Sequence, residues 1–311
     1  MDRSPSIAPS VAVGKADGFW QATLHRLAQS QVWHHLRRDP LAVLALIVLT
    51  LIVISAALAP VIAPHDPVKQ DLDQRLLPPR WLKGSQPDHL LGTDQLGRDL
   101  FSRIIHGGRV SLVIGILAVF VSGIVGVLLG LLSGFHGGVL DAVLMAVVEI
   151  QSAFPFILLA IAIIAVLGTN LVTLLIVVTL SGWVIYARVV RAQVLSLRQT
   201  EFVDAARVIG CTSWRILLRH ILPQLVAPIS VMATLEVARI IVLESSLSFL
   251  GLGVQPPSMS WGQILGDGRM YLTSGWAISV FSGTTLLLAV LSINIVGESF
   301  SEIIDPALRR R

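Results

Sequence analysis

The chain has 311 residues, of which 54% are hydrophobic and only 14% charged, with a mean hydropathy of +0.78. That is too few water-facing side chains for a soluble domain and too much apolar surface for a disordered one. The net charge of +4 fits Lys and Arg serving as membrane-side anchors better than nucleic-acid contacts, and one cysteine, Cys211, excludes an intrachain disulfide and a cysteine-cluster metal site.

A polar leader, residues 1–40, ends in Arg37-Arg38-Asp39-Pro40. From Leu41 to Ala59 there is no charge, and twelve positions are Leu, Ile or Val, which favours insertion by about 4–7 kcal/mol. Ala57-Leu58-Ala59 imitates a signal-cleavage site. The apolar run is too long for a secretory signal core, so an uncleaved span is expected over 41–63. Residues 64–109 form a long connection in which Leu96, Leu100, Ile104 and Val110 share a side. They predict an interfacial helix capped by Asp94. Arg98 and Asp99 on it are readable as a solvated charge pair or as a recognition point.

The next apolar segments fall at about 110–132, 140–167, 171–190, 221–242 and 277–296, each long enough to cross ~30 Å of hydrocarbon. The core thus runs over 110–299, and the expected fold is an all-α integral membrane protein of six transmembrane helices. Gly126, Gly130 and Gly134 repeat every four residues and predict a close helix–helix contact. Pro155 predicts a kink, not a break, within the third span. With the amino terminus inside, 14 Lys and Arg lie inside and eight outside, Arg239 being within a helix. Both termini, including the tail 300–311, are therefore expected in the cytoplasm.

Between spans four and five, residues 191–220 form a cytoplasmic loop. Thr200 is placed to cap a short helix whose first turn carries Glu201 and Asp204, complementing the helix dipole. Phe202, Ala205, Ala206 and Ile209 recur at helical spacing, and Gly210 fits the left-handed position that ends a helix. Thr212 or Ser213 begins the next helix, bent by Pro223. An apolar stripe on an exposed helix calls for a partner surface or for folding back onto the bundle. The second outer connection, 244–276, is punctuated by Gly251, Gly253 and Pro256-Pro257, which mark turns. Asp141, Glu149, Glu236, Arg239 and Glu298 lie in or near apolar spans, where ionisable groups are costly. Glu236 and Arg239, three apart, can neutralise each other. Glu149 has no charge three or four residues away. It requires a partner helix, a water-filled path or a proton.

The sequence contains no GxxxxGK[ST], HExxH or GxSxG pattern, so nothing in it predicts nucleotide binding, a metal centre or hydrolysis.

Asp204-Ala205-Ala206, Gly210 and Leu222-Pro223 together resemble the EAA loop of bacterial ABC importer permeases. Asp204 stands where that loop has its first Glu, and His220 where it has Ile. The substitutions are similar to those of the dipeptide/oligopeptide/nickel permease subfamily, with Gln224 in place of its usual Asn. Gly92 to Asp99 (GTDQLGRD), Glu244 to Gly262 (ESSLSFLGLGVQPPSMSWG) and Val296-Gly297-Glu298 to Asp305-Pro306 resemble three further segments of that subfamily. The likeness spans about residues 36–311. One departure is Ala146, where the subfamily places an Arg three residues before the third-span acid.

The resemblance implies a permease subunit of an ATP-driven importer in the bacterial inner membrane, moving small peptides or a related solute. Its coupling helix would involve Thr200, Glu201, Phe202, Asp204, Ala205, Ala206, Ile209, Gly210 and Trp214. Outer contacts or a gate would involve Arg98, Asp99, Ser248, Gly251, Gly253 and Trp261, with Glu149, Glu236 and Arg239 candidates for the translocation path. The implied partners are a second homologous permease, two cytoplasmic ATPase subunits that carry ATP and Mg, and a solute-binding protein. The lipid bilayer surrounds the chain, which binds no cofactor and no nucleic acid itself. The alternative is an ion-coupled secondary transporter using the intramembrane carboxylates. No internal inverted repeat is evident, and six spans are few for it.

Overall fold

The computed structural model describes residues 39–304. The polar leader with its His34-His35 pair, and the tail from Asp305, lie outside the described residues.

Helix α1, Pro40–Ala57, begins where Asp39 accepts backbone hydrogen bonds from Leu41 and Ala42, with Pro40 at the first position, where its missing N–H is no loss. A single further turn, Ala59–Ile62, follows. An ordered, mostly irregular connection leads to α2, Leu100–His136, one continuous helix of 37 residues. The separate interfacial helix expected before the second span is therefore replaced by the first turns of α2. Its cap is Asp99, which accepts from the Ser102 N–H at 2.8 Å, and not Asp94. Asp94 instead accepts from the Leu96 and Arg98 backbone N–H groups of a tight turn, which keeps residues 94–98 out of helix.

Beyond a Gly137 turn come α3, Gly138–Ala153, and α4, Phe156–Leu167, which meet at 91°. The expected kink is in fact a break. Phe154 is extended, with φ −90° and ψ 133°. The pyrrolidine ring of Pro155 disfavours helical backbone in the residue before it, and Pro155 has no N–H to donate. Helix α5, Leu171–Leu197, is capped by Asn170, and α6, Glu201–Val208, lies in the loop beyond it. One turn at Ser213–Ile216 and a π-turn at Leu217–Ile221 lead into α7, Leu222–Phe249. The widened turn accommodates Pro223, whose ring would otherwise meet the carbonyl four residues back. Helices α8, Trp261–Gly268, and α9, Trp276–Ile304, complete the order.

Five spans are long and apolar enough to cross a bilayer, and six if α3 and α4 count as one bent span. Among the described residues there is no β-strand, only one isolated bridge, Thr93 with Asp99. Large apolar side chains such as Leu51, Phe120, Val143 and Leu158 cover the outside of the helices, as expected where the solvent is hydrocarbon.

The glycines of α2 set its contact with α5. A Cβ at Gly126 would lie 2.3 Å from the Trp183 carbonyl, at Gly130 2.7 Å from the Ala187 carbonyl, and at Gly134 2.8 Å from Val194 Cβ. No side chain larger than hydrogen fits, and the two backbones touch along three turns. Three apolar clusters follow α2 from end to end. Leu100, Ile104, Ile241, Trp261 and Ile278 gather at its start. Ala118, Leu174, Val177, Tyr186 and Ile240 fill the middle. Leu131, Val190, Val203, Ala206, Ile216 and Leu225 close the far end.

Candidate functional site

Helix α6 stands at the far end of α2, and its two sides have different environments. Val203 and Ala206 are buried in the third apolar cluster. Phe202, Ala205, Val208 and Ile209 remain exposed, Val208 at 87% and Ile209 at 78%. Of the four residues that the spacing placed on one stripe, only Ala206 points inward. Val203 replaces Phe202 on the inner side, and Val208 joins the outer one.

The helix ends in a double hydrogen-bonded turn. Cys211 N–H donates to the Ala206 carbonyl and Gly210 N–H to the Arg207 carbonyl, with Gly210 at φ +80°. This is the reciprocal C-terminal cap that glycine permits at low cost. At the other end Thr200 has the extended cap backbone, but its hydroxyl donates to the Leu197 carbonyl at 2.5 Å and not to α6. Glu201 and Asp204 occupy the first turn. Asp204 pairs with Arg207 at 3.1 Å, and the Arg207 guanidinium sits 5.8 Å from the Phe135 ring centroid at the end of α2. Arg198 donates to the Gly134 carbonyl at 3.0 Å. Trp214, 58% exposed, extends the uncovered apolar surface beyond the Gly210 turn. Arg207 and Phe135 were missed because their pairing depends on how α6 lies across the end of α2.

Within the bundle, Glu236 accepts from Arg239 Nε at 2.8 Å and again from Nη2. The same Nη2 donates to Ser181 Oγ at 3.0 Å. A cleft of about 230 Å³ borders this pair, lined by Ile185, Tyr186, Met232 and Leu235. The Tyr186 hydroxyl is buried and makes no hydrogen bond. Gly182 leaves room for the carboxylate, since a Cβ there would come 3.2 Å from Glu236 Oε1. Glu149 does not join the pair. It is exposed on α3 and makes no hydrogen bond or ion pair among the described residues. Asp141, on the same helix, binds Arg191 through both carboxylate oxygens, at 2.5 and 2.7 Å, and Ser152 accepts from Arg188 at 2.7 Å. Glu298 is exposed on α9.

The outer candidates turn inward. Asp94, fully buried, binds Arg98 at 2.7 Å and also Arg103. Arg103 reaches Asp267 beyond α8's first turns at 3.2 Å. Burial, then repulsion from Arg103, holds the Arg98 guanidinium below its usual pKa, and Asp94 counters both. Arg98 and Asp99 are thus neither a solvated pair nor an exposed recognition point. Ser248 donates to Glu244 at 2.7 Å and accepts from the Val254 N–H at 3.1 Å. A Cβ at Gly253 would collide with Ser248. Trp261 is buried and donates through its indole N–H to the Ile104 carbonyl at 3.0 Å. Of this group only Gly251 is exposed, at φ +81°. The others are buried and hold the connecting loops onto α2 and α7.

Broken and continuous apolar spans with one short helix at the end of the bundle define a multi-pass membrane protein. Residues 126–310 match the family described as binding-protein-dependent transport system inner membrane component. Residues 28–79 match the N-terminal TM domain of oligopeptide transport permease C. The chain is 41% identical to the di/tripeptide transport system permease protein DppC of Pseudomonas aeruginosa, across 99% of this chain and 98% of that one. It is 36% identical to the dipeptide transport system permease protein DppC of Bacillus subtilis, across 89% and 85%. It is 38% identical to the glutathione transport system permease protein GsiD of Escherichia coli, across 90% of each. A solved inward-facing MetNI methionine ABC transporter chain shares the fold, with a TM-score of 0.56 at 20% identity over 66% of this chain and 98% of that one. The chain belongs to the binding-protein-dependent transport system inner membrane component family, as an ABC importer permease in the inner membrane. Permeases of this family work with ATPase and solute-binding partners and are not themselves the enzyme. Nothing among these relatives supports the ion-coupled alternative.

Proposed function

We propose that this chain is one half of a peptide importer and that α6 is the lever through which a separate ATPase moves it. The pathway is completed by a second, homologous permease. Two ATPase subunits bind the ATP and Mg, and this chain binds neither. The solute class is short peptides or similarly sized solutes presented by a binding protein, in keeping with the names of the relatives. The observation that carries the reading is the division of α6. Val203 and Ala206 fix one side to the bundle, while Phe202, Ala205, Val208, Ile209 and Trp214 stay uncovered. A helix held that way transmits displacement as a rigid unit, and its exposed apolar side favours burial in a partner groove. Glu201 and Asp204, in the first turn, are placed to meet basic groups of that partner. On this reading α6 is cytoplasmic, as are both termini, and Glu149, Glu236 and Arg239 face the path or the second permease.

The test replaces Gly210 with Val in proteoliposomes containing all partner subunits. Left-handed backbone costs a β-branched residue roughly 1–2 kcal/mol, which frays the end of the lever. ATP-driven dipeptide uptake should fall about tenfold while the chain still inserts and assembles. Undiminished uptake in Gly210→Val overturns the reading. Uptake should also stop on ATP depletion and persist with an uncoupler.

A further inference from the structure

At the end of the bundle opposite α6, three electron-pair donors from three separate segments converge. His65 follows α1, His89 lies in the long connection, and Asp99 caps α2. His89 Nδ1 is 2.9 Å from Asp99 Oδ1, and His65 Nδ1 is 3.8 Å from the same oxygen. The two imidazole rings overlap with centroids 4.7 Å apart and a tilt of 35°. All three donor atoms lie within 4.8 Å of one another. We propose that His65, His89 and Asp99 bind one divalent transition-metal cation of the zinc type, a site separate from the transport pathway.

The surrounding hydrogen bonds orient each donor toward a common point. In the tautomer with its proton on Nε2, His89 donates to Gln74 Oε1 at 2.8 Å and leaves the Nδ1 lone pair for a cation shared with Asp99. A second ring nitrogen held by a carbonyl oxygen is the arrangement that fixes tautomer and orientation in metal-binding histidines. Asp99 Oδ2 is taken by the Ser102 N–H at 2.8 Å, which leaves Oδ1 for the imidazoles. The His65 backbone N–H donates to Ser102 Oγ at 3.2 Å, so the same residue positions two of the three ligands. His65 Nδ1 is buried and has no hydrogen-bond partner.

The hydrogen bond between His89 and Asp99 leaves the buried His65 Nδ1 without a partner. A single cation bonded to all three answers every donor. Two imidazoles, one carboxylate and a water make a tetrahedral zinc set, with bonds of about 2.0–2.2 Å. Those bonds place donors roughly 3.2–3.6 Å apart; the two distances to Asp99 are 2.9 and 3.8 Å, and with all three donors within 4.8 Å the set closes onto an ion by a small movement of His65. Calcium and magnesium, which need mostly oxygen ligands, fit poorly. The His65 side chain is 37% exposed and gives the ion an entry side. Bound metal would tie the exit of α1, the connection and the start of α2 into one unit.

The experiment uses the full chain, purified without a histidine tag and carrying His34→Ala, His35→Ala and Cys211→Ser to remove other metal donors. Equilibrium dialysis against zinc chloride should give one ion per chain, with a raised midpoint of thermal unfolding. His65→Ala should weaken zinc binding at least tenfold, and Gln74→Leu by about 10–100-fold, the usual effect of losing an outer-shell partner. The midpoint of metal-free His65→Ala should match that of its parent. Carbethoxylation of His65 in the unmodified chain, read by mass spectrometry, gives a variant-free measure and should be suppressed by saturating zinc. The proposal is overturned by absence of zinc binding, by unchanged binding in His65→Ala, or by unchanged His65 modification in the presence of zinc.

Discussion

Asp94 is a buried carboxylate held between two guanidiniums, Arg98 and Arg103, and Arg103 continues to Asp267. The sequence marks these residues as a charged, turn-rich stretch, but not that they face inward, because burial depends on α8 closing over them. Removing one member of such a group strands the others without water, at a cost of about 3–5 kcal/mol. Asp94→Asn should therefore lower the thermal stability of the purified chain by that order, with little dependence on salt, because the group is screened from solvent. Glu149 is the opposite case, an exposed carboxylate on an apolar helix with no partner among the described residues. If it meets the second permease or the solute path, losing its charge forfeits hydrogen bonds of about 1.5–3 kcal/mol. Glu149→Gln should then reduce uptake about tenfold or more without changing the stability of the isolated chain. Uptake equal to that of the wild type assigns Glu149 no part in transport.

On the scale of single elements, the glycine repeat of α2 and the end of α6 were legible because a missing side chain has one steric meaning. At Gly126, Gly130 and Gly134 the neighbouring backbone leaves no space, and at Gly210 the backbone is left-handed. Direction was less legible. Apolar spacing cannot separate a residue facing the core from one facing a partner or lipid when all three surroundings are apolar. So the stripe Phe202, Ala205, Ala206 and Ile209 spans two sides of α6, and its spacing leaves out buried Val203. Pro155 alone predicts a kink, whereas the extended Phe154 before it turns the chain by 91°. Asp94 and Asp99 both had the chemistry of a cap, and only the local turn at 94–98 decides between them. The outer side of α6 gives the sharpest prediction at this scale. Val208 is almost wholly exposed, so Val208→Asp should change the stability of the chain alone by no more than about 0.5 kcal/mol. It should weaken assembly with the ATPase subunit at least tenfold in co-purification titrations, because the new charge has no counterpart in an apolar groove.

The whole molecule has its polar network where the loops meet α2, its apolar surface around the spans, and one small helix fixed by two of its eight residues, Val203 and Ala206. Membership of the permease family and the class of fold were legible from motifs and hydropathy, since bilayer thickness fixes span length. The contacts that turn the outer motif residues inward depend on long-range packing that no local pattern encodes. Movement of the bundle is coupled to the ATPase only if α6 moves as one piece with α2 and α5, to which Val203 and Ala206 bind it through Val190, Val194 and Leu131. The most direct measurement places a cysteine at Ile209 in a Cys211→Ser chain and crosslinks it to the ATPase subunit in native membranes. The account predicts a specific crosslink whose yield differs between nucleotide-free and ATP-bound states, and no labelling of that cysteine by an impermeant maleimide added outside intact cells. Labelling from outside, or absence of any crosslink in an importer that still transports, would contradict it.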